Sequence, residues 1–434
     1  MKICWVTPFV LRSSIGRVSA EVAKALALRG HQVEILRCEE RDDPAEPLHP
    51  TALRVHHWRS YDLSHLRTEF DVVIVNIGDN YPFHAGVFAI LDAAPCLGIF
   101  HDFYIYNLFS GWLHYNGLDY RRHDAEIVAT YGEAALPHAV AVRSGQMLDM
   151  GEIAQHLPMT EWLAGRCEAA LAHAEFYAPK LEAVVQGPVA VTPLCCPDRA
   201  TPPGPPKAKA QLTLTTVGVM NPNKRVDDVI RAIGGSDTLK ACVYRLVGPI
   251  SDAERAKLEV TAAEVGFGNL IIEGAVDDDT LDRRLDEADI MIALRKPVLE
   301  GASGSACEGM LGGRPTVVAR AGFYGELPDD LVFKIDGGIV IEELRDVLER
   351  LVADEALRRQ TGQAARAWAL ANLNAARYAE AIEDLAQAQV TSRPLLAVGR
   401  RIGGELTAMG LTDADPAAGR IGATLQKLFA PLPI

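Results

Sequence analysis

The sequence predicts an α/β protein made of two Rossmann-like, doubly wound domains that face each other across a cleft. Three observations point there. The chain has 434 residues, beyond the roughly 250–300 at which a single core tends to divide. Short β-branched runs alternate with helical segments along both halves, as in parallel sheets with crossover helices. Between the halves, PDRATPPGPPKAKA (residues 197–210) breaks the alternation with proline and charge, as a stiff exposed linker does.

Taken in order, the first half offers KICWVTP, HQVEILRC, DVVIVNIG, CLGIFHD, AVAVRS and VAVTPL as strands. After the first strand, RVSAEVAKALALRG puts Val18, Val22, Ala25 and Leu26 on one helical face, and Gly30 follows as a stop signal. The second half offers LTLTTVGVM, CVYRLVG, LIIEGAV, DIMIALR and PTVVA, with RVDDVIRAI and DTLDRRLDEA among the helices between them. The predicted division is 1–196, a linker at 197–210, 211–385, and a helical tail at 386–434. In that tail LLAVGRRIGGELTAMG has helical spacing. An Asp cap with Pro416 then opens a final amphipathic helix.

Composition narrows the function. Apolar residues make up 49% and charged residues 23%, an ordinary globular balance. A formal net charge of −14 argues against sequence-independent nucleic-acid binding, which needs basic surface to displace counterions. Eight cysteines (Cys4, Cys38, Cys96, Cys167, Cys195, Cys196, Cys242 and Cys307) are scattered without a CxxC pair. They read as reduced small hydrophobes, not as a disulfide framework or zinc site. MKICWVTPFVLRSS passes straight into a strand, and no run reaches the ~18 apolar residues of a membrane span. The expectation is a cytoplasmic protein, compatible with peripheral contact at the inner membrane face.

Ligands in doubly wound sheets bind beyond the carboxyl ends of the strands. Residues that follow strands therefore carry the functional argument. Gly16, after the first strand, could let a phosphate approach backbone N–H groups at a helix N-terminus; an ordinary loop glycine is the competing reading. Neither G-x-G-x-x-G nor G-x-x-x-x-G-K-[ST] is present, which argues against a nicotinamide dehydrogenase and a P-loop NTPase. In VGVMNPNKRVDDVIRAI, Lys224 and Arg225 sit at the turn-to-helix junction, where a lysine can neutralise a phosphate as a point charge.

The segment LEGASGSACEGMLGGRPTVVA, residues 299–319, holds Glu300 and Glu308 with seven small residues between them. Gly301, Ala302, Ser303 and Gly304 would present bare backbone to a sugar and a diphosphate. Ser305 is expected to cap a helix through Leu311, ended by Gly312 and Gly313. The two carboxylates would then hold the ligand's polar ends, Glu300 the sugar hydroxyls and Glu308 the two hydroxyls of a ribose. Ser305 to Glu308 also fits a capping box, which needs no ligand, and Glu300 fits a solvated loop.

These stretches together resemble the family 4 glycosyltransferases of the GT-B fold. IGRVSAEVAKALALRGHQVEIL is similar to that family's glycine loop and first helix. FHD at 100–102 is similar to its strand-end histidine, and VGVMNPNKRVDDVIRAI to its second-domain opening. The paired glutamates followed by GGRPTVVA match its signature. The resemblance implies sugar transfer from a nucleotide-diphosphate donor with retention at the anomeric carbon, no metal and no cofactor. It implies that Glu300 contacts the donor sugar, Glu308 the ribose, Lys224 the diphosphate with help from Gly16, and that His101 lies beside the sugar. The acceptor is expected to be a glycan, a lipid-linked molecule or a small molecule, in polysaccharide or glycoconjugate biosynthesis. One departure stands out: the family commonly has an arginine where this chain has Val219. Arg225, Arg295 and Arg17 could substitute, and Arg225 is the expected choice. A sugar-nucleotide epimerase on the same fold and a non-catalytic nucleotide-sugar sensor are the alternative readings.

Two acidic triplets, DDD at 277–279 and DAD at 413–415, imitate a metal-binding D-x-D but read as helix caps. For the acceptor, HDFYIYNLFSGWLHYNGLDYRRHD (101–124) is unusually aromatic in a chain averaging 6%. Trp112, Tyr115 and Tyr120 are the stacking candidates, against an insertion whose aromatics simply pack on one another.

Overall fold

The computed structural model describes residues 1–197, 211–411 and 415–429. Two fully parallel sheets organise them. The first comprises β1 (Lys2–Thr7), β2 (Gln32–Arg37), β3 (Arg54–His57), β4 (Val72–Ile77), β5 (Cys96–Phe100), β6 (Ala169–Ala172) and β7 (Val189–Val191), in the order β3-β2-β1-β4-β5-β6-β7. The second comprises β8 (Thr213–Val217), β9 (Val243–Val247), β10 (Leu270–Gly274), β11 (Ile290–Ile292), β12 (Thr316–Ala319) and β13 (Phe333–Ile335), in the order β10-β9-β8-β11-β12-β13. Strand order reverses beside β1 in one sheet and beside β8 in the other. Each reversal opens a crevice at the carboxyl ends of the strands, and the two crevices meet.

Most strands follow from their sequence. β4 is buried along its whole length, VVIVNI, as a central parallel strand must be. Four elements differ from expectation, among them the short edge strands β3 and β13, which the sequence did not announce. AVAVRS is not a strand: it ends the helix Leu136–Arg143, which carries proline in its first turn and buries only Ala139. β6, by contrast, is made of AALA, fully buried and without a β-branched residue, so propensity does not announce it.

The helix Ala375–Ala408 alters the division between the lobes. Residues 375–385 were expected in the second domain, but Tyr378, Ala379, Ile382, Leu385 and Ala386 pack into the core of the first. There they meet Val22, Ala23 and Leu26 of the first helix, Ser14–Leu28, over Ile3, Trp5 and Ile35. The sheet has an apolar outer face that the first helix alone does not cover. The helix is fixed further along by Arg393, Arg400 and Gln389, all bonded to the buried carboxylate of Glu168. A final helix, Pro416–Phe429, forms as expected. Pro197 apart, the proline-rich linker lies outside the described residues.

All eight cysteines are buried and free. Among the described residues no helix is long and apolar enough to cross a membrane.

Candidate active site

The second lobe contributes most of the polar groups in the cleft, and its glycines make the geometry possible. Gly218 and Gly248 follow β8 and β9 with φ of 95° and 141°. A Cβ on Gly248 would stand 2.2 Å from the Gly218 carbonyl oxygen, so the two strand ends meet only because Gly248 has no side chain. The chain then makes a single 3-10 turn, Pro222–Lys224, and Arg225 takes a left-handed conformation with φ of 55°. This folds Lys224 back over β8, where its Nζ donates to the Val217 carbonyl at 2.6 Å. The ammonium is buried, with Arg295 nearby, and its pKa falls to about 7; Glu300 and Glu308 pull the other way.

After β11 the chain delivers Arg295, buried, whose Nε lies 2.6 Å from Glu300 Oε1. Tyr324 also donates to that oxygen, at 2.8 Å. Glu300 is therefore held from two sides. The surrounding backbone is bonded to the first lobe: Phe103 and Tyr104 donate N–H to the Leu299 carbonyl, and Gly301 N–H donates to the His101 carbonyl at 2.9 Å. Gly301 was expected to offer its N–H to a ligand, but that group is spent across the cleft. Its lack of side chain instead admits Tyr177, whose hydroxyl would lie 2.5 Å from a Cβ.

The helix Gly304–Leu311 is capped by Ser303, whose Oγ accepts from Ala306 N–H. The expected cap, Ser305, lies inside the helix, so no Ser305–Glu308 capping box forms. Glu308 is left to face the first helix, where Arg17 Nη2 approaches its Oε1 at 3.2 Å. At this helix start the early N–H groups have no intrahelical acceptor, and the dipole is positive.

These pieces converge. Lys224, Arg295, Glu300, Ser303, Gly304 and Glu308 line one cavity of about 750 Å³, together with Ala302. A connected space of about 360 Å³ is lined by His101, Asp102, Arg17, Glu308 and others. The remaining expected residues lie differently. Gly16 sits in the first turn of its helix with its N–H capped by Ser13 Oγ at 3.0 Å, and a Cβ there would strike the Pro8 carbonyl at 2.6 Å. It serves packing, while Ser14 and Arg17 beside it line the cavity. Arg225 turns its guanidinium to Asp228 at 2.7 Å and does not line the cavity, whereas Arg295, Arg17 and Arg12 do.

His101 lines the smaller space, but both its ring nitrogens point inward, to Asn76 and His173. Of the aromatic candidates, Trp112 packs with Phe88, Phe109 and Trp162. Tyr115 stacks on Tyr81 at 4.8 Å, and Tyr120 lies under Arg143. None of the three lines either cavity. Asp277 caps the helix Asp278–Glu287, as expected of the first acidic triplet. Of the second triplet, residues 413 and 414 lie outside the described residues.

Asp102, the last residue of FHD, was not among the expected site residues. This carboxyl lines both cavities, and its Oδ2 accepts from Asp79 N–H at 2.8 Å. Burial, with a smaller contribution from Glu300, raises its pKa to about 7.

Known proteins share this fold. Residues 199–368 match the family described as glycosyl transferases group 1. No curated protein matches the chain in sequence. Among solved structures, sucrose-phosphate synthase from Thermosynechococcus elongatus superposes with a TM-score of 0.61 at 14% identity, covering 92% of this chain and 100% of that one. WaaG, a glycosyltransferase involved in lipopolysaccharide biosynthesis, gives 0.56 at 15% identity, over 88% and 99%. HepE from Anabaena, in complex with UDP and glucose, gives 0.55 at 14% identity, over 88% and 98%. By sequence, then, the segment 199–368 is similar to the glycosyl transferases group 1, and by structure the chain has the two-lobed GT-B fold of these proteins.

Proposed function

We propose that this protein is a glycosyltransferase that moves a sugar from a nucleotide-diphosphate donor to an acceptor hydroxyl with retention at the anomeric carbon. The observation that carries this reading is the convergence of Lys224, Arg295, Glu300 and Glu308 with an uncovered helix start in one interlobe cavity. Lys224, Arg295 and the first N–H groups of the helix Gly304–Leu311 neutralise the charge that grows on the leaving diphosphate. These fixed cations do the work of a metal, so neither a metal nor a cofactor is required. Glu300, immobilised by Arg295 and Tyr324, accepts hydrogen bonds from the donor sugar. Glu308 takes the ribose hydroxyls when Arg17 releases it.

The acceptor approaches from the first lobe, past Asp102, on the face from which the diphosphate departs. The anomeric carbon–oxygen bond to phosphate breaks as the bond to the acceptor oxygen forms. The acceptor's proton passes to the departing phosphate oxygen. The acceptor class is a glycan, a lipid-linked molecule or a small molecule, in polysaccharide or glycoconjugate assembly.

The test is a panel of nucleotide sugars, read by thermal shift, nucleotide release and the anomeric configuration of the freed sugar by proton NMR. Slow release of sugar with the donor's configuration, undiminished by a chelator, is expected. An isomerised nucleotide sugar would replace this reading with an epimerase, and stabilisation without turnover would replace it with a sensor. No response to any nucleotide sugar would end the proposal.

A further inference from the structure

Along the carboxyl edge of the first sheet runs a buried row of hydrogen bonds that the chemistry above does not use. Asn76 Nδ2 donates to the Val6 carbonyl at 2.9 Å, and Asn76 Oδ1 lies 2.9 Å from His101 Nε2. His101 Nδ1 lies 3.2 Å from His173 Nε2, and His173 Nδ1 lies 3.1 Å from the Thr192 carbonyl. β5 and β6 pair in register through Phe100 and Ala172, which sets the two histidines side by side.

The ends of this row determine where its protons are. Val6 and Thr192 offer carbonyl oxygens, which only accept. Asn76 must therefore turn its amide nitrogen to Val6 and its oxygen to His101, so His101 Nε2 carries hydrogen. Thr192 likewise requires hydrogen on His173 Nδ1. Two neutral rings have then spent both their protons outward, and the nitrogens that face each other have none. The row closes only with a third proton, shared between His101 Nδ1 and His173 Nε2.

We infer that His173 is a positioning residue for His101, and that a proton shared by the two rings decides whether His101 is pinned inside the lobe or free to turn a ring nitrogen to the cleft. With the proton present the row is complete and His101 is held. Without it, lone pair faces lone pair, and His101 can rotate toward the cavity it lines and accept a hydrogen bond from a donor-sugar hydroxyl. The proton exchanges with solvent through the cleft. The last step rests on the glycosyltransferase reading; the proton count does not.

Burial, together with the imidazoles of His173 and His84, holds His101 well below the ordinary histidine value, and burial takes His173 to about 4. Near neutral pH the rings are therefore in the released state. The titratable neighbours of the pair are His84, from the helix Tyr81–His84, and Asp102, which follows His101 in the chain and feels Glu300. Tyr177, whose hydroxyl accepts from His173 N–H, and Tyr378, whose ring lies 5.8 Å from that of His173, complete the set.

Two measurements test this. In long-range proton–nitrogen spectra of histidine-labelled protein, taken from about pH 3 to about pH 8, the nitrogens His101 Nδ1 and His173 Nε2 should move in one common transition. Independent behaviour of the two rings across that range would overturn the proposal, whether or not the protein turns over any nucleotide sugar. In the pH profile of kcat/KM for the donor, the wild type should lose activity on the acid side of that transition. His173→Gln, whose amide donates to His101 Nδ1 without an added proton, should flatten the profile at a low rate. His173→Phe, which offers no hydrogen bond, should remove the acid limb. If both variants keep the wild-type limb, His173 does not position His101.

Discussion

The two sheets share a topology but finish their carboxyl edges in opposite ways. In the second lobe the strand ends open into glycines and turns that leave Lys224, Arg295, Glu300 and Glu308 lining a cavity. In the first, the edge carries the row from Val6 through Asn76, His101 and His173 to Thr192, and Asp102, Leu194, Cys196 and residues of the first helix line the space beside it. One edge stores charge that is poorly solvated and waiting for an anion; the other is lined by neutral groups bonded along the sheet. Lys224 shows what that costs: a buried lysine whose pKa has fallen to about 7 destabilises the empty protein. A diphosphate would return the missing counter-charge.

The largest test of this contrast removes the stored charge. Lys224→Ala is expected to lower kcat/KM for the donor by about 10²–10³-fold, the range for deleting one transition-state stabiliser. The empty protein should be no less heat-stable, because the desolvated ammonium is gone. A matching loss of melting temperature would mean that Lys224 is structural.

Next comes a choice between arginines. Arg295→Ala should weaken donor turnover by about a hundredfold, the scale of losing a buried charged partner. Arg225→Gly, which keeps the left-handed backbone, should change it by less than about threefold. Reversed outcomes would return Arg225 to the role that the sequence suggested.

A third test uses pH. Donor binding needs Lys224 charged, so affinity should fall by up to about tenfold per pH unit above about 7. Calorimetry in buffers of different ionisation heat should show proton uptake on binding near pH 8. The sign for stability is opposite. The folded-state pKa is depressed, so the cost of burying Lys224 is full below pH 7 and is relieved as pH rises toward the ordinary lysine value of 10.5. Lys224→Met should abolish both dependences.

The smallest expected effect concerns the aromatic insertion of the first lobe. Tyr120→Ala, exposed and remote from both cavities, should leave the acceptor KM within about twofold, as surface changes usually do. A larger change would reopen acceptor stacking there.

How far the sequence could be read differs between the same two regions. In the second lobe, Lys224, Glu300 and Glu308 were visible because turn chemistry and small-residue spacing are local, and the strands that deliver them, β8 and β11, are neighbours in the sheet. In the first lobe, local signals misled. The aromatic density at 101–124 marked packing, since Trp112 finds Phe88 and Trp162 from distant segments. Gly16 stood at the right helix start, yet Ser13 and Pro8 had already claimed its surroundings.

The amino-acid order alone determined the alternation that makes two parallel sheets, the glycines at the strand ends and the acidic pair flanking a bare loop, because each depends on residues near one another in the chain. Only the tertiary structure decided that Arg295 and not Arg225 faces the cavity, that Ala375–Ala408 returns to cover the first sheet, and that His101 meets His173. Those outcomes depend on which buried polar groups and apolar faces remain unpaired once the sheets have formed, and that is a property of the assembled lobes.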